Sequence, residues 1–229
     1  MNEAPPSSIM QIVSLITKDG VRIAGDYYAP RRESNRGALL IHMMPATRVS
    51  WRRLAPRIEE EGMHVLAIDL RGHGESEGGP QGYTSFSDAE HKKSIFDLEA
   101  GVEFLCQKGV DREHLSLVGA SIGANLVLQY GATHKVSALV LLSPGLDYRG
   151  ITTLPFLSHL VPGQRVFLAS SEDDERSGGS SADMTRTIAE HIPRSIDKKI
   201  VMYHNAGHGT DMFGKEDPDL EQEILFFLS

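Results

Sequence analysis

The segment Gly119-Ala120-Ser121-Ile122-Gly123 sets a serine between two glycines, a spacing with a steric cause. In a sharp turn from a strand into a helix the serine takes strained backbone angles. The residues two before and two after it then approach so closely that side chains there would clash. A serine hydroxyl is a poor nucleophile until an imidazole takes its proton, and the imidazole needs a carboxylate to fix its tautomer and stabilise its cation. Both partner types follow in the order Ser, Asp, His: residues 170–175 read Ser-Ser-Glu-Asp-Asp-Glu and residues 204–209 read His-Asn-Ala-Gly-His-Gly. Such a set is suited to nucleophilic acyl transfer. Gly74-Glu75-Ser76-Glu77-Gly78 repeats the glycine spacing, but Gly79, Pro80 and Gly82 follow it and leave no helix for that serine to open.

Short β-rich apolar runs alternate with segments of helical spacing, which predicts an α/β chain built on a mainly parallel sheet. Strands are expected at 12–16, 21–28, 38–42, 64–70, 115–118, 138–142, 166–169 and 200–203, about eight in all. The first two are joined by Asp19-Gly20, a hairpin turn signal, so an antiparallel edge comes first. Trp51, Leu54, Ala55 and Ile58 mark one helix, and Ile95, Leu98, Val102 and Leu105 mark another over 88–107. A third follows Ser121, and the last two carry Met184, Ile188 and Ile192, then Leu220, Ile224 and Leu228. The Gly- and Ser-rich stretch 177–181 reads as a loop. Each acidic or histidine candidate lies just beyond the C-terminal end of a strand, where open α/β sheets place their sites.

These segments together resemble the α/β-hydrolase superfamily over nearly the whole chain. Asp69-Leu70-Arg71-Gly72-His73-Gly74-Glu75-Ser76 is similar to the family's D-x-R-G-x-G-x-S stretch after the fourth strand, Ser121 to its nucleophile elbow, and Ala206-Gly207-His208-Gly209 to the loop bearing its general base. The resemblance implies the α/β-hydrolase fold with helices on both faces of the sheet and a minimal cap. It implies Ser121 as nucleophile, His208 as general base and Asp174 as orienting acid, with Ser171 standing where relatives carry the glycine of G-x-x-D. Asp173 is the next candidate acid, and Asp147, after the sixth strand, the third. The oxyanion hole would use the backbone N–H of Ile122 and that of Met44.

Those roles describe a serine hydrolase of an acyl bond, most simply a carboxylic ester, that needs no cofactor and acts on a small-molecule acyl substrate. Peptidase and thioesterase variants share the apparatus, and a binding or scaffold protein on the same fold is the reading from another class. His204 is the alternative base. A metal site from His204 and His208 is disfavoured, because their spacing suits a helix and the stretch holds two glycines. His73 supports a turn in the family stretch, and Cys106 reads as a small core residue. Residues 172–175 form an acidic run at the mouth of the cleft. Residues 145–164 stand where larger relatives insert a cap, room for one short lid helix. That predicts a shallow, open site rimmed by Leu154, Phe156 and Leu157.

Composition agrees. The 229 residues, 25.1 kDa, predict one domain over 11–229 after a flexible segment at 1–10. With 40% hydrophobic and 24% charged residues the chain is of globular type, not disordered. Its 31 acidic residues against 23 basic give a net charge of -8, which disfavours nucleic acid as a partner. A single cysteine excludes an internal disulfide and a Cys-rich zinc site. No apolar run long enough to span a bilayer occurs, and a reducing, cytoplasmic location is expected.

Overall fold

The computed structural model describes residues 10–176 and 178–229. The segment 1–10, expected to be flexible, lies outside them except for Met10, which opens the first strand. Eight strands form one sheet: β1 (Met10–Ile16), β2 (Arg22–Tyr28), β3 (Gly37–Ile41), β4 (His64–Ile68), β5 (Leu115–Ala120), β6 (Ala138–Leu142), β7 (Arg165–Ser171) and β8 (Asp197–Tyr203). Their order is β1-β2-β4-β3-β5-β6-β7-β8. β1 and β2 run antiparallel, from Met10 opposite Tyr28 to Ile16 opposite Arg22, and β2 is antiparallel to β4. All other neighbours are parallel. The turn at residues 17–21 that joins β1 and β2 has Gly20 at a positive φ of 86°.

The central strands β3, β4, β5 and β6 are buried at every position because both faces are covered. Leu39, Ile41, Leu66, Ile68, Leu117 and Leu139 turn to one face, and Ala38, Leu40, Val65, Ala67, Val118 and Val140 to the other, following the two-residue period of a strand. Helices α1 (Ala55–Glu60), α2 (Asp88–Lys92), α3 (Ile95–Gln107), α4 (Ile122–Thr133), α5 (Leu154–Leu157), α6 (Ser181–His191) and α7 (Leu220–Leu228) complete the layers. Leu98, Leu126 and Ile188 of α3, α4 and α6 pack on the first face; Ile58 and Ile224 of α1 and α7 pack on the second. Among the described residues no helix is long and apolar enough to cross a membrane.

Two expectations need correction. The helix foreseen over 88–107 is split at Lys93 and Ser94, where the bonds Ser94 N–H to His91 O (3.0 Å) and Phe96 N–H to Lys93 O (2.9 Å) tighten the chain to a three-residue repeat. The offset brings the Asp97 carboxylate of α3 under Arg71, which donates from its backbone N (2.8 Å) and from Nε (2.9 Å). The stretch 177–181 is not a plain loop either: Gly179–Ser180 pairs with Glu175–Arg176 as a two-stranded ribbon, and Ser181 already belongs to α6.

Beyond β4 the chain is held by buried charge. Asp69 accepts from the backbone N–H groups of Arg48 (2.7 Å) and Glu75 (2.9 Å) and from the Arg48 guanidinium. Arg48 also donates from Nε to Asp26 on β2 at 2.7 Å. Ser76 Oγ donates to Asp69 O (2.6 Å) and accepts from Ala24 N–H (2.9 Å). The second glycine-flanked serine is therefore a structural tie with its hydroxyl already committed. Removing Arg48 strands two carboxylates that are at most 2% exposed, so Arg48→Leu is expected to cost about 3–5 kcal/mol in urea unfolding. A loss below about 1 kcal/mol, the scale of an exposed pair, would contradict this account of the tie.

Candidate active site

Ser121 sits between β5 and α4 at φ 54°, ψ -119°, a conformation L-residues rarely take. Its N–H donates to Leu142 O on β6 (2.8 Å), and its carbonyl accepts from Ala124 N–H (2.9 Å) at the start of α4. The glycines permit the turn. A Cβ on Gly119 would fall 2.3 Å from Gly123 O, and one on Gly123 would fall 2.4 Å from Ile41 O at the end of β3. The first turn of α4 is thereby pressed against the loop that leaves β3. Ile122 opens α4, so its N–H has no carbonyl one turn back to bond with.

Past β7 and β8 the loops bring together an imidazole and a carboxylate. His208 Nδ1 lies 2.5 Å from Asp174 Oδ2, and both residues are buried. Burial alone would raise the Asp174 pKa, but the hydrogen bond and charge of His208 and the charge of Arg176 outweigh it, so the carboxyl titrates below its ordinary value. The ionised carboxylate can only accept. Nδ1 then carries the proton, and Nε2 is left as the acceptor. Gly209, next to His208, packs against the end of β5: a Cβ there would lie 3.2 Å from the Cβ of Ala120, which precedes Ser121, and 2.6 Å from Met43 Sδ. Gly209 N–H also donates to Ser143 Oγ at 2.9 Å.

The other candidates do different work. Asp173 accepts from Ser171 Oγ (2.5 Å) and from Gly207 N–H (3.1 Å), while Ser171 Oγ accepts from Ala206 N–H (2.8 Å). The serine in place of the family glycine thus helps to anchor the histidine loop. His204 is exposed and bonds Glu172 at 2.9 Å, away from the site. Asp147 is exposed and closes a turn by accepting from Gly150 N–H at 2.7 Å. Glu172 is engaged by Arg186 as well (2.9 Å), so Glu172, Asp173 and Asp174 of the acidic run all have partners outside it. Among the described residues no cluster of His, Cys, Asp and Glu could hold a metal ion.

The family model described as "alpha/beta hydrolase fold" matches residues 39–173, more than half of the chain, and includes Ser121. The chain belongs to the α/β hydrolase fold family. An uncharacterized protein of Mycobacterium tuberculosis is 28% identical over 89% of this chain and 72% of its own length. A protein of Xenopus laevis named monoacylglycerol lipase abhd6-A is 27% identical over 71% of this chain and 47% of its own length. Among solved structures, the esterase Pf2001 of Pyrococcus furiosus superposes with a TM-score of 0.76 at 20% identity, covering 99% of this chain and 95% of that one. The match to the family model ends at Asp173, so the Asp174–His208 contact is a feature of this α/β hydrolase read from its own geometry.

Residues 145–164 of this α/β hydrolase carry the one short helix expected but not the apolar rim. They hold a two-stranded ribbon, Asp147–Tyr148 against Ile151–Thr152, and then the single short helix α5. Leu157 and Leu160 are buried in the main core cluster, with Leu154 and Phe156 packed on it, so these side chains close the core edge instead of forming an open apolar rim. The site is covered: Ser121 is 8% exposed and His208 5%. Part of the cover is Tyr148, which sequence reasoning missed. Its hydroxyl lies 3.4 Å from Ser143 O, with the Ser121 and Ser181 hydroxyls and the Asp174 carboxylate around it. The signal was a lone tyrosine in a segment without helical or strand period.

Beside the β3 loop, His42 is fully buried. Its Nε2 accepts from Leu70 N–H (2.9 Å) and its Nδ1 donates to Met43 O (2.9 Å). Burial pushes its imidazole from 6.5 down to about 4. His73, stacked on Tyr83 with ring centroids 4.0 Å apart, is pushed to about 4 by burial and the nearby His42. Above pH 6.5 folded and unfolded chains alike keep these rings neutral. As the pH falls from 6.5 towards 4 the unfolded chain gains protons that the folded one refuses, so stability falls, by roughly 3 kcal/mol per histidine across the window. Urea unfolding at steps between pH 6.5 and 5 is expected to show this decline, and His73→Phe to flatten it. A flat wild-type profile would contradict the assignment.

Proposed function

We propose that the protein is a serine hydrolase that cleaves an acyl bond, most simply a carboxylic ester, through an acyl-enzyme. The observation that carries this reading is the Asp174–His208 contact of 2.5 Å on a loop whose Gly209 packs on Ala120, the residue before a serine held at φ 54°. Ser121 Oγ attacks the carbonyl as His208 Nε2 takes its proton, and Asp174 fixes the imidazole tautomer and stabilises the cation that forms. The N–H groups of Ile122 and Met44 hold the oxyanion. His208 returns the proton to the departing alcohol, and a water activated by the same imidazole releases the acid.

Ile122 suits the oxyanion role because its N–H is free at the start of α4, and Met44 because Gly123 abuts the end of β3 and draws that loop beside the elbow. Both need only backbone atoms, so methionine at 43 and 44 takes nothing away. The esterase and lipase names among similar proteins favour an acyl substrate. A thiohydrolase of Aspergillus aculeatus, 33% identical over 48% of this chain, keeps thioesters in view.

Hydrolysis of short-chain 4-nitrophenyl esters tests the reading. Ser121→Ala and His208→Ala are each expected to lower kcat by about 10³-fold or more, and Asp174→Asn by about 10²- to 10⁴-fold. Asp173→Asn, which loosens the histidine loop without touching the ring, is expected to lose less than about tenfold, the scale of one modest hydrogen bond. Turnover unaffected by Ser121→Ala would overturn the proposal, and no turnover of any acyl substrate would favour a binding protein on this fold.

A further inference from the structure

The strand order β3-β5-β6 places the loops after β3 and β6 on opposite sides of Ser121, which follows β5. Met44 lies in the first loop and Tyr148 in the second. His208 and Asp174 follow β8 and β7, beyond β6, on Tyr148's side of the serine. Tyr148 therefore follows the strand on the other side of Ser121 from Met44, the side from which the loops bearing Asp174 and His208 also come.

The ribbon that carries Tyr148 is fixed in place. Asn125, fully buried on α4, donates from Nδ2 to Ile151 O (2.7 Å) and accepts from Gly145 N–H (3.0 Å). Gln129, one turn on, donates to Thr152 O (2.8 Å), and Thr153 Oγ1 donates to Gly145 O (2.9 Å). Gly145 makes room for the ring, since a Cβ there would fall 2.5 Å from Tyr148 Cζ. The hydroxyl has the Ser121 and Ser181 side chains around it and faces Ser143, whose Oγ accepts from Gly209 N–H beside His208 at 2.9 Å. It donates to Ser143 O at 3.4 Å, a long O–H···O bond that a closer acceptor can displace. Burial, reinforced by the Asp174 charge, pushes the phenol up to about 12. It is a donor at every working pH and never a base.

Resting on the serine hydrolase reading above, we propose that Tyr148 is a catalytic residue that donates a hydrogen bond from its hydroxyl to the leaving-group oxygen of the substrate, and that the site is thereby suited to esters of unactivated alcohols. When the tetrahedral adduct collapses, the bond from carbon to the leaving oxygen breaks and its electron pair stays on that oxygen. The proton that completes the alcohol comes from His208 Nε2. Tyr148 keeps its own proton and stabilises the negative charge that builds up before the transfer is complete. An alkoxide, with its concentrated charge, gains most from such a donor, whereas 4-nitrophenoxide delocalises the charge by itself.

The test compares wild type with Tyr148→Phe, which keeps the ring over Gly145, on the methyl and 4-nitrophenyl esters of one acid. The fall in kcat/KM for the methyl ester is expected to exceed that for the nitrophenyl ester by about tenfold or more, the scale of one preorganised donor. KM and the acidic limb of the pH profile should stay where they are, which a merely structural role or an effect through Asp174 would not allow. Equal falls on the two esters, or no fall on the methyl ester, would overturn the proposal. A wild type inert towards both esters, with Ser121→Ala no different, would instead mark failure of the serine hydrolase reading on which it rests.

Discussion

The left-handed turn at Ser121 leaves no space beside it. Gly119 faces Gly123 O, and Gly123 faces Ile41 O, at separations no Cβ could share. The strain of a positive φ is tolerated because the surroundings fix it, and what fixes it is the sheet. β5 lies between β3 and β6, Ser121 N–H is tied to Leu142 O, and α4 starts with its amides directed at the same end. From that one turn follows the placing of the β3 loop, of the histidine loop through Gly209, and of the ribbon that α4 pins through Asn125 and Gln129.

Around the turn, buried arginines are matched with carboxylates. Arg48 joins Asp26 to Asp69, Arg71 joins Asp97 to Asp19, and Arg176 Nε reaches Asp174 Oδ1 at 2.7 Å. Two of these arginines hold frame; the third lies at the rim beside the proposed orienting acid. Where burial outweighs any countercharge, as at His42 and His73, the ring stays neutral. The same logic keeps Tyr148 protonated at the serine. One sheet end thus holds an acceptor imidazole, an ionised carboxylate and a neutral phenol within one small region.

The parts legible in the sequence were those whose constraint is local. Gly119 and Gly123 announce a steric demand, and continuous apolar runs such as 38–41 announce strands covered on both faces. Asp69, Arg71 and Ser76 were recognisable as a stretch, although their partners Arg48, Asp26 and Asp97 come from elsewhere in the chain. What sequence could not give was long-range or one residue fine. Asp173 and Asp174 are chemically identical neighbours, separated only by which one the backbone turns towards His208. Leu154, Phe156 and Leu157 have the composition of a rim and of a core edge alike, and packing on α4 and α6 decides for the core. Tyr148 carries no motif; its position depends on a ribbon held by side chains of a helix that lies before it in the chain.

The central claim is that Ser121 is an activated nucleophile, and reaction with a fluorophosphonate followed by intact-mass and peptide analysis tests it most directly. The account predicts one adduct per chain, on Ser121, formed by wild type and lost in His208→Ala as well as in Ser121→Ala. A folded wild type that stays unlabelled beside a reactive control hydrolase, or an adduct on any other residue, would contradict it.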